Sequence, residues 1–465
     1  MSAPAWVADA VFYAIVPDRF GRRPRKEAPP WSEAALEPWD APPTLRGYKG
    51  GDLGGITDAL PELRDLGITA LYLTPICSSP AYHRYKPLDL FQVSPLLGGQ
   101  AAFEELLTAV HGLGMRVVLD AVFNHVSIGF PPFLDVLENG ARSPWRDWFH
   151  IEGWPLDPME GSPRPANYRC WDGRRSMPQL NHAHPPVQAF LLEVAEHWVR
   201  LGIDGWRFDC PAEVGDASFW RQLRTRVRAL QPEVYLLGEL WTDASAWLDG
   251  TQWDGATDYP LMFALRRFAG GDRVLERHLG PGGRRESTLD APAFARGLPP
   301  RPENLTFLDS ADTARFRTLV GSDEATVRLA TLLLLTLPGA PCLLYGDEVG
   351  LEGGVDPDNR RGFPPAERWN QACLRDHRQL LQLRRQHPAL RRGTYQLRLA
   401  RDQLLVFERS LPGERLVVAV NAGEAEVTTA LALEGALGGE RRHGEGRWAG
   451  GVLALAARSG AVFSG

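Results

Sequence analysis

The sequence predicts an α/β protein whose core is a (β/α)8 TIM barrel, because short apolar segments that end in carboxylates recur along the chain. Segments with helical spacing of apolar residues, such as 187–201 and 219–230, lie between them. Acidic side chains at the carboxyl ends of successive parallel strands are typical of the catalytic face of such a barrel. The strand ends with this pattern are 116–125, 205–209, 235–241 and 305–315.

The segment 205–209 is the centre of the prediction. Alternation along a strand places Arg207 and Asp209 on the same side, where the guanidinium would hold the charge of the carboxylate. Alone, this pair is explained equally well as a structural ion pair. The carboxylates that end the neighbouring strands, Asp120, Glu239 and Asp309, favour a catalytic site.

Composition excludes several classes of protein. A chain of 465 residues is expected to form two or three domains, and a net charge of -6 leaves no basic face for nucleic acid. No apolar stretch is long enough to span a membrane, and the N-terminus lacks the pattern of a signal peptide. The five cysteines are scattered, without metal-site spacing, as expected of reduced thiols. The sequence therefore predicts a cytoplasmic protein.

Changes in apolar periodicity and in composition along the chain predict the domain boundaries. Periodicity fades in 126–182, where Trp, Pro and Gly accumulate, and a long irregular segment inside a barrel is usually functional. Beyond 386, short alternating segments and turns predict an antiparallel β-sandwich. We therefore expect barrel residues at 1–125 and 183–385, an inserted domain at 126–182 and a C-terminal domain at 386–465.

The strand-end segments resemble, in order and residue type, the signature regions of the α-amylase family (glycoside hydrolase family 13). The stretch Met-Pro-Gln-Leu-Asn at 177–181 matches a further region. The resemblance covers essentially the whole chain and is strongest to the neopullulanase, cyclomaltodextrinase and maltogenic amylase group. It implies that 126–182, after strand 3, is the family's inserted B domain, which walls one side of the cleft.

The resemblance also implies the catalytic groups. Asp209 matches the nucleophile, Glu239 the general acid, and Asp312 the third carboxylate, which holds sugar hydroxyls. Burial at the end of an apolar strand is expected to favour the protonated form of Glu239. The implied reaction is retaining hydrolysis of α-1,4 bonds in maltooligosaccharides, cyclodextrins, pullulan or starch, accompanied in some relatives by transfer to sugar acceptors.

Several further side chains match substrate-binding positions of the family. Asp120 would orient Arg207 and the nucleophile, and Glu213 would line the acceptor subsites. The complete set is His83, Tyr85, Asp120, His125, Arg207, Glu213, Trp241, Asp356 and Arg360. Taken without the resemblance, the turn at 356–360 is an ordinary surface loop. His182 and His184 are interpreted as loop residues because a metal site would need partner carboxylates there.

The chain departs from the family pattern at identifiable positions. In nearly all relatives a histidine precedes the third aspartate and donates a hydrogen bond to the bound glucose, but this chain has Ala311. Ala212 replaces an asparagine of the acceptor region, and Lys86 replaces an aspartate. In several relatives the loop corresponding to 21–46 carries Asn and Asp ligands for calcium. Here the segment 21–26 has neither residue type, although Gly51 and Asp52 downstream are kept. We therefore expect that no cofactor is required, with calcium as the alternative. Because the N-terminal β domain of many relatives has no counterpart before Val11, a monomer or weak dimer is expected.

Two rival interpretations remain at this point. A 4-α-glucanotransferase or another family transferase or isomerase would use the same carboxylates. A catalytically impaired barrel that only binds glucan would not need to retain Arg207 with all three acids, which argues against it.

Overall fold

The computed structural model describes residues 3–24, 36–271, 274, 288–433 and 438–464. Part of the predicted loop 21–46, including residues 25–35, lies outside this range, as do residues 434–437 of the predicted sandwich. The chain divides into two compact units, the first made of Met1–Pro4, Ile15–Glu62 and Ala70–Thr257, and the second of Ala5–Ala14, Leu63–Thr69 and Asp258–Gly465. This division does not test the predicted domain boundaries, which stay predictions.

Eight short strands form one parallel sheet and alternate with helices, which confirms the predicted fold class. The strands are β1 (Phe12–Ile15), β2 (Ala70–Leu73), β3 (Arg116–Ala121), β4 (Gly205–Phe208), β5 (Tyr235–Gly238), β6 (Gly255–Ala256), β7 (Leu305–Thr306) and β8 (Ala340–Leu344). The main helices are α1 (Leu53–Leu66), α2 (Gly99–Gly112), α3 (Pro131–Asn139), α4 (Pro185–Leu201), α5 (Ala217–Leu230), α6 (Tyr259–Gly270), α7 (Glu324–Thr336) and α8 (Gln371–Gln386). No described helix combines the length and apolarity needed to cross a membrane.

Register between the strands places the acidic side chains together. In the first unit the order is β6-β5-β4-β3-β2, and Asp120 of β3 lies opposite Arg207 of β4. In the second unit β8 pairs with β1 and with β7. Every residue of β1, β4, β5 and β8 is buried, as expected of a parallel sheet covered on both faces.

The segment 126–182 is largely irregular, as the sequence predicts. Isolated bridges, such as Phe149 to Leu180 and Ile151 to Tyr168, hold its loops together. It also contains α3, a helix that the sequence analysis did not predict. Phe133 and Val136, spaced three residues apart, form the buried face of that helix.

An antiparallel sandwich ends the second unit, as predicted. Its strands are β9 (Thr394–Arg401), β10 (Leu404–Leu411), β11 (Glu414–Asn421), β12 (Val427–Ala430), β13 (Glu440–Gly444), β14 (Arg447–Ala449), β15 (Val452–Leu455) and β16 (Ser459–Ser464). Five strands form the sheet β9-β10-β11-β16-β13 and three form β12-β15-β14. Val406, Val417, Trp448, Leu453 and Phe463 belong to the apolar core between them.

Two buried arginines bind the carboxyl end of α7. Arg409 of β10 donates from Nη1 to the Thr336 carbonyl at 2.6 Å. Arg384 of α8 donates to the Leu335 carbonyl at 3.0 Å and to the Gly339 carbonyl at 2.8 Å. These bonds satisfy carbonyls that a helix end otherwise leaves without donors.

Candidate active site

Arg207 is the hub of the acidic cluster in the first unit. Its Nη1 donates to Asp120 Oδ1 at 2.9 Å and to Asp209 Oδ1 at 3.0 Å, while Nη2 lies 2.7 Å from Glu239 Oε1. The side chain is 3% exposed. Burial alone would lower the pKa of Arg207, but the charges of Asp120 and Glu239 outweigh burial and raise that pKa well above its ordinary value. The guanidinium therefore keeps its charge. The contact with Glu239 was not predicted from the sequence.

Asp120 is the carboxyl group that the structure perturbs most clearly in this cluster. Tyr72 and Tyr85 each donate a hydroxyl hydrogen bond to its Oδ2 at 2.7 Å. Burial raises the pKa of Asp120 to about 6, against the opposing effects of Arg207 and the two tyrosines. Asp120 therefore acts as the shared anchor of Arg207 and Tyr85, consistent with a positioning acid.

Glu239 is held from three sides. Besides Arg207, the backbone N–H of Cys210 donates to its Oε2 at 3.0 Å, and the indole of Trp241 donates to its Oε1 at 3.2 Å. Cys210 presents that N–H from a left-handed conformation with φ of 45°, which is strained for a residue other than glycine. Trp241 is 44% exposed, whereas Glu239 is only 7% exposed.

Asp209 and Glu239 lie close together. One oxygen of each carboxylate and the Cys210 Sγ all lie within 4.8 Å of one another. Within the described residues this is the one group of three ligand-type side chains close enough to hold a metal ion. Because Arg207 already pairs with both carboxylates, ion pairing accounts for their approach without a metal.

The predicted aromatic subsite loop forms beside this cluster. The rings of His83 and Tyr85 stack at 5.8 Å, and the Tyr85 N–H donates to His83 Nδ1 at 3.1 Å. His125 is 1% exposed, with Nε2 lying 3.0 Å from the Tyr85 carbonyl. Burial lowers the pKa of His125 to about 4, so the ring is neutral near pH 7. In this arrangement His125 supports the tyrosine loop rather than projecting into solvent.

Glu213 belongs to a second polar group in the first unit. Asn124 Nδ2 donates to its Oε2 at 3.1 Å, and Gln179 Nε2 in turn donates to Asn124 Oδ1 at 2.9 Å. Desolvation raises the pKa of Glu213, whereas hydrogen bonds from Asn124 and Trp171 lower it. Gln179 lies in the Met-Pro-Gln-Leu-Asn stretch, so that stretch orients Glu213 through Asn124.

Asp312, Asp356 and Arg360 lie together in the second unit. Arg360 Nη2 is 3.1 Å from Asp312 Oδ1, and Arg360 Nε is 3.2 Å from Asp356 Oδ1. The Arg360 side chain is 7% exposed and that of Asp312 is 31% exposed. Arg360 Nε also donates to the Ala311 carbonyl at 2.7 Å. The residue at the family histidine position is thus held through its backbone.

Sequence reasoning missed three residues of the first-unit site. Tyr72 binds Asp120, Cys210 binds Glu239 through its backbone, and the Trp171 ring stacks on His125 at 5.4 Å. A usable signal existed only for Tyr72, a polar aromatic residue within an otherwise apolar strand that ends near the predicted site. The contacts of Cys210 and Trp171 depend on local backbone geometry that has no sequence pattern.

Comparison with protein families identifies the family to which this fold belongs. Residues 14–381 match the model of the α-amylase catalytic domain. The chain belongs to the α-amylase family. It is accordingly a glycoside hydrolase, and the resemblance inferred from the sequence is confirmed.

Individual relatives of this α-amylase family member agree with the predicted subgroup. A cyclomaltodextrinase of Geobacillus thermopakistaniensis is 41% identical over 90% of this chain and 70% of the relative. Neopullulanase 2 of Thermoactinomyces vulgaris is 37% identical over 91% of this chain and 71% of the relative. The crystal structure of a debranching enzyme from Nostoc punctiforme matches with a TM-score of 0.91 and 47% identity, covering 100% of both chains.

Proposed function

We propose that the protein hydrolyses α-1,4 bonds of short α-glucans with retention of configuration. The observation that carries the proposal is the contact of Arg207 with both Asp209 and Glu239, whose nearest carboxylate oxygens lie within 4.8 Å. Retaining glycosidases place their two carboxyl groups roughly 5–5.5 Å apart, whereas inverting enzymes need roughly 6.5–9.5 Å to admit a water. The short separation supports retention.

The proposed reaction has two steps. Glu239 donates its proton to the glycosidic oxygen while an Asp209 oxygen attacks the anomeric carbon, and the leaving sugar departs as an alcohol. The Glu239 carboxylate then takes a proton from a water whose oxygen attacks the same carbon and releases Asp209. Asp312 would bind sugar hydroxyls, as its counterpart does in the family. Arg207 contacts the Asp209 carboxylate at 3.0 Å and orients it for the first step.

Replacement of each acid tests these roles. Asp209→Asn and Glu239→Gln should each remove nearly all hydrolysis of maltooligosaccharides, because each deletes an obligatory chemical group. Asp254→Asn is the matched control, since Asp254 is also buried and pairs with two arginines, Arg224 and Arg228. That control should lower the melting temperature but leave kcat near the wild-type value. Near-normal rates in either acid variant would overturn the assignment.

The anomer of the fresh product tests retention separately. A covalent intermediate on Asp209 gives the α-anomer first, which NMR resolves before mutarotation. If the β-anomer appears first, the single-displacement mechanism applies and Asp209 is not the nucleophile.

The relatives define a panel for the preferred substrate. We infer maltooligosaccharides and cyclodextrins as substrates because of the similarity to cyclomaltodextrinase, and α-1,6 bonds are a second candidate because of the similarity to the debranching enzyme. Linear maltodextrin, cyclodextrin, pullulan and a branched maltodextrin should be compared, with products separated by chromatography. Glucose and maltose from the unbranched substrates support α-1,4 cleavage. Adding an acceptor sugar distinguishes a transferase, whose main products would be longer chains.

Three further expectations accompany this proposal. We infer that no calcium is required, because carboxylates near the first loop already have partners. Asp52 Oδ1 accepts the Gly55 N–H at 2.8 Å, and Arg23 pairs with Asp58 at 2.6 Å and with Glu105 at 2.8 Å. A cytoplasmic location is supported by five cysteines that are all free thiols, and cell fractionation would test it. We also predict that the protein is a monomer or a weak dimer, and light scattering would measure this oligomeric state.

A further inference from the structure

Asn359 holds the backbone on both sides of Asp312. The residue is 0% exposed, and its Nδ2 donates to the Ala311 carbonyl at 2.6 Å and to the Thr313 carbonyl at 3.0 Å. The Ser310 carbonyl lies 3.5 Å from the same nitrogen. One carboxamide therefore clamps the peptide segment that carries Asp312.

Asn359 is itself fixed by a buried ion pair. The backbone carbonyl of Asn359 accepts a hydrogen bond from Arg315 Nε at 2.9 Å. Arg315 is 0% exposed, pairs with Asp347 at 2.7 Å and donates to the Tyr345 carbonyl at 2.9 Å. Because Arg315 lies three residues beyond Asp312, the two segments hold each other at two points.

The neighbouring residue Arg360 has a different contact with Asp312. Arg360 touches the Asp312 carboxylate directly, at 3.1 Å. Asn359 contacts only backbone carbonyls of this segment. Arg360 therefore sets the charge environment of the carboxylate, and Asn359 sets the direction from which the side chain leaves the backbone.

The carboxamide oxygen of Asn359 argues against a purely stabilising role. Among the described residues this buried Oδ1 has no hydrogen-bond partner. An unsatisfied buried polar atom destabilises a fold, and this cost offsets much of what the donated bonds contribute. Unsatisfied buried polar atoms persist at functional sites, where the placement of a reactive or binding group matters more than the stability of the fold.

We propose that Asn359 is a positioning residue that acts on the reaction through the orientation of Asp312. The inference rests on the proposed function, in which Asp312 binds the sugar hydroxyls. Without the Nδ2 donor, the carbonyls of Ala311 and Thr313 reorient toward other donors and turn the peptide that carries Asp312. The Asp312 side chain, 31% exposed, then samples orientations that do not meet the substrate.

A double-mutant cycle with Asp312 tests this proposal. Asn359→Ala should lower kcat about 30-fold or more, because misplacement of a binding group by about 1 Å costs on the order of 100-fold. In an Asp312→Asn background the same change should cost no more than about threefold, since the group it positions is already gone. Rates are followed with a maltosyl substrate carrying an activated leaving group, so that slow variants stay measurable. Asn359→Ser, which retains one donor, should recover part of the rate.

Asn421 offers a matched control within the same unit. It is 0% exposed, and its Nδ2 donates to the carbonyls of Ala425 and Ala456 at 2.8 and 2.9 Å. Asn421→Ala should lower the melting temperature at least as much as Asn359→Ala while changing kcat less than about twofold.

The outcomes separate the two proposals. Equal fold losses from Asn359→Ala with and without Asp312 would overturn the positioning role, as would loss of melting temperature without loss of kcat. If Asp312→Asn is nearly inactive but Asn359→Ala is normal, the positioning role alone is wrong. If Asp312→Asn has normal activity, the role proposed for Asp312 is wrong and the positioning inference falls with it.

Discussion

Replacing Arg207 should move the acid limb of activity to higher pH. The guanidinium contacts Asp120 at 2.9 Å, Asp209 at 3.0 Å and Glu239 at 2.7 Å. Two unit charges about 4 Å apart attract by about 4 kcal/mol at the effective dielectric near 20 that suits protein sites. Since one pKa unit corresponds to about 1.4 kcal/mol, loss of one such contact raises a carboxyl pKa by as much as about 3 units. Asp120, whose pKa is already about 6, would then be protonated at neutral pH.

Arg207→Lys and Arg207→Met divide this effect into charge and geometry. The lysine ammonium keeps the charge but cannot form the guanidinium fork, so it is expected to retain only part of the three contacts. Removing one partner of a buried pair costs about 3–5 kcal/mol, so Arg207→Met should also lower the melting temperature markedly. The expected order of acid-limb position is wild type, then Lys, then Met, each at higher pH.

The assay is the pH dependence of kcat/KM between about pH 4.5 and 9, with the fold checked by circular dichroism. Arg228→Lys is the control, because Arg228 is also buried and contacts both oxygens of Asp254 at 2.8 and 2.9 Å. That variant should lose stability without moving the acid limb. An acid limb unchanged in both Arg207 variants would refute the reasoning, because it would mean that this cation does not control the ionisation required for activity.

Three other predictions address separate features. Ala311→His should raise kcat/KM on maltooligosaccharides by at least about tenfold, because a well-placed donor is worth on the order of 10²–10³ in rate; no gain would mean that the subsite is built around alanine. Burial raises the pKa of Glu348 to about 7, so the native state binds a proton that the unfolded state lacks between about pH 4.5 and 7, and this contribution to stability falls as pH rises. The melting temperature of Glu348→Gln relative to wild type should therefore increase from pH 5 to pH 8 in calorimetry, and a constant difference would contradict the shift. Addition of EDTA should change the melting temperature by less than about 1 °C, and a large drop would reveal a bound metal that stabilises the fold.

The sequence predicted the acidic strand ends because each is a local pattern. Asp120, Asp209 and Glu239 each follow an apolar run, and parallel strands bring their carboxyl ends to one edge. The interstrand register that puts Asp120 opposite Arg207 then follows from the fold. These three acids could therefore be predicted without knowing how the side chains pack.

Contacts made by or to the backbone had no comparable signal. Cys210 binds Glu239 through its backbone N–H while in a left-handed conformation, and thiol chemistry gives no hint of this contact. Asn359 donates to carbonyls, which every residue possesses, so its partners are invisible in the sequence. The helix Pro131–Asn139 was missed because the Pro and Gly content around it outweighed the spacing of Phe133 and Val136.

The bonds from Arg384 and Arg409 to the end of α7 limit how the chain can be recombined. Arg409 belongs to the sandwich, yet its guanidinium serves the Thr336 carbonyl, more than seventy positions earlier in the sequence, with both residues in one compact unit. A truncation near residue 385 would leave that carbonyl buried without its donor, at a cost of about 1–3 kcal/mol. A chimera that exchanges the sandwich for another domain is therefore expected to lose stability unless it supplies a donor to the Thr336 carbonyl.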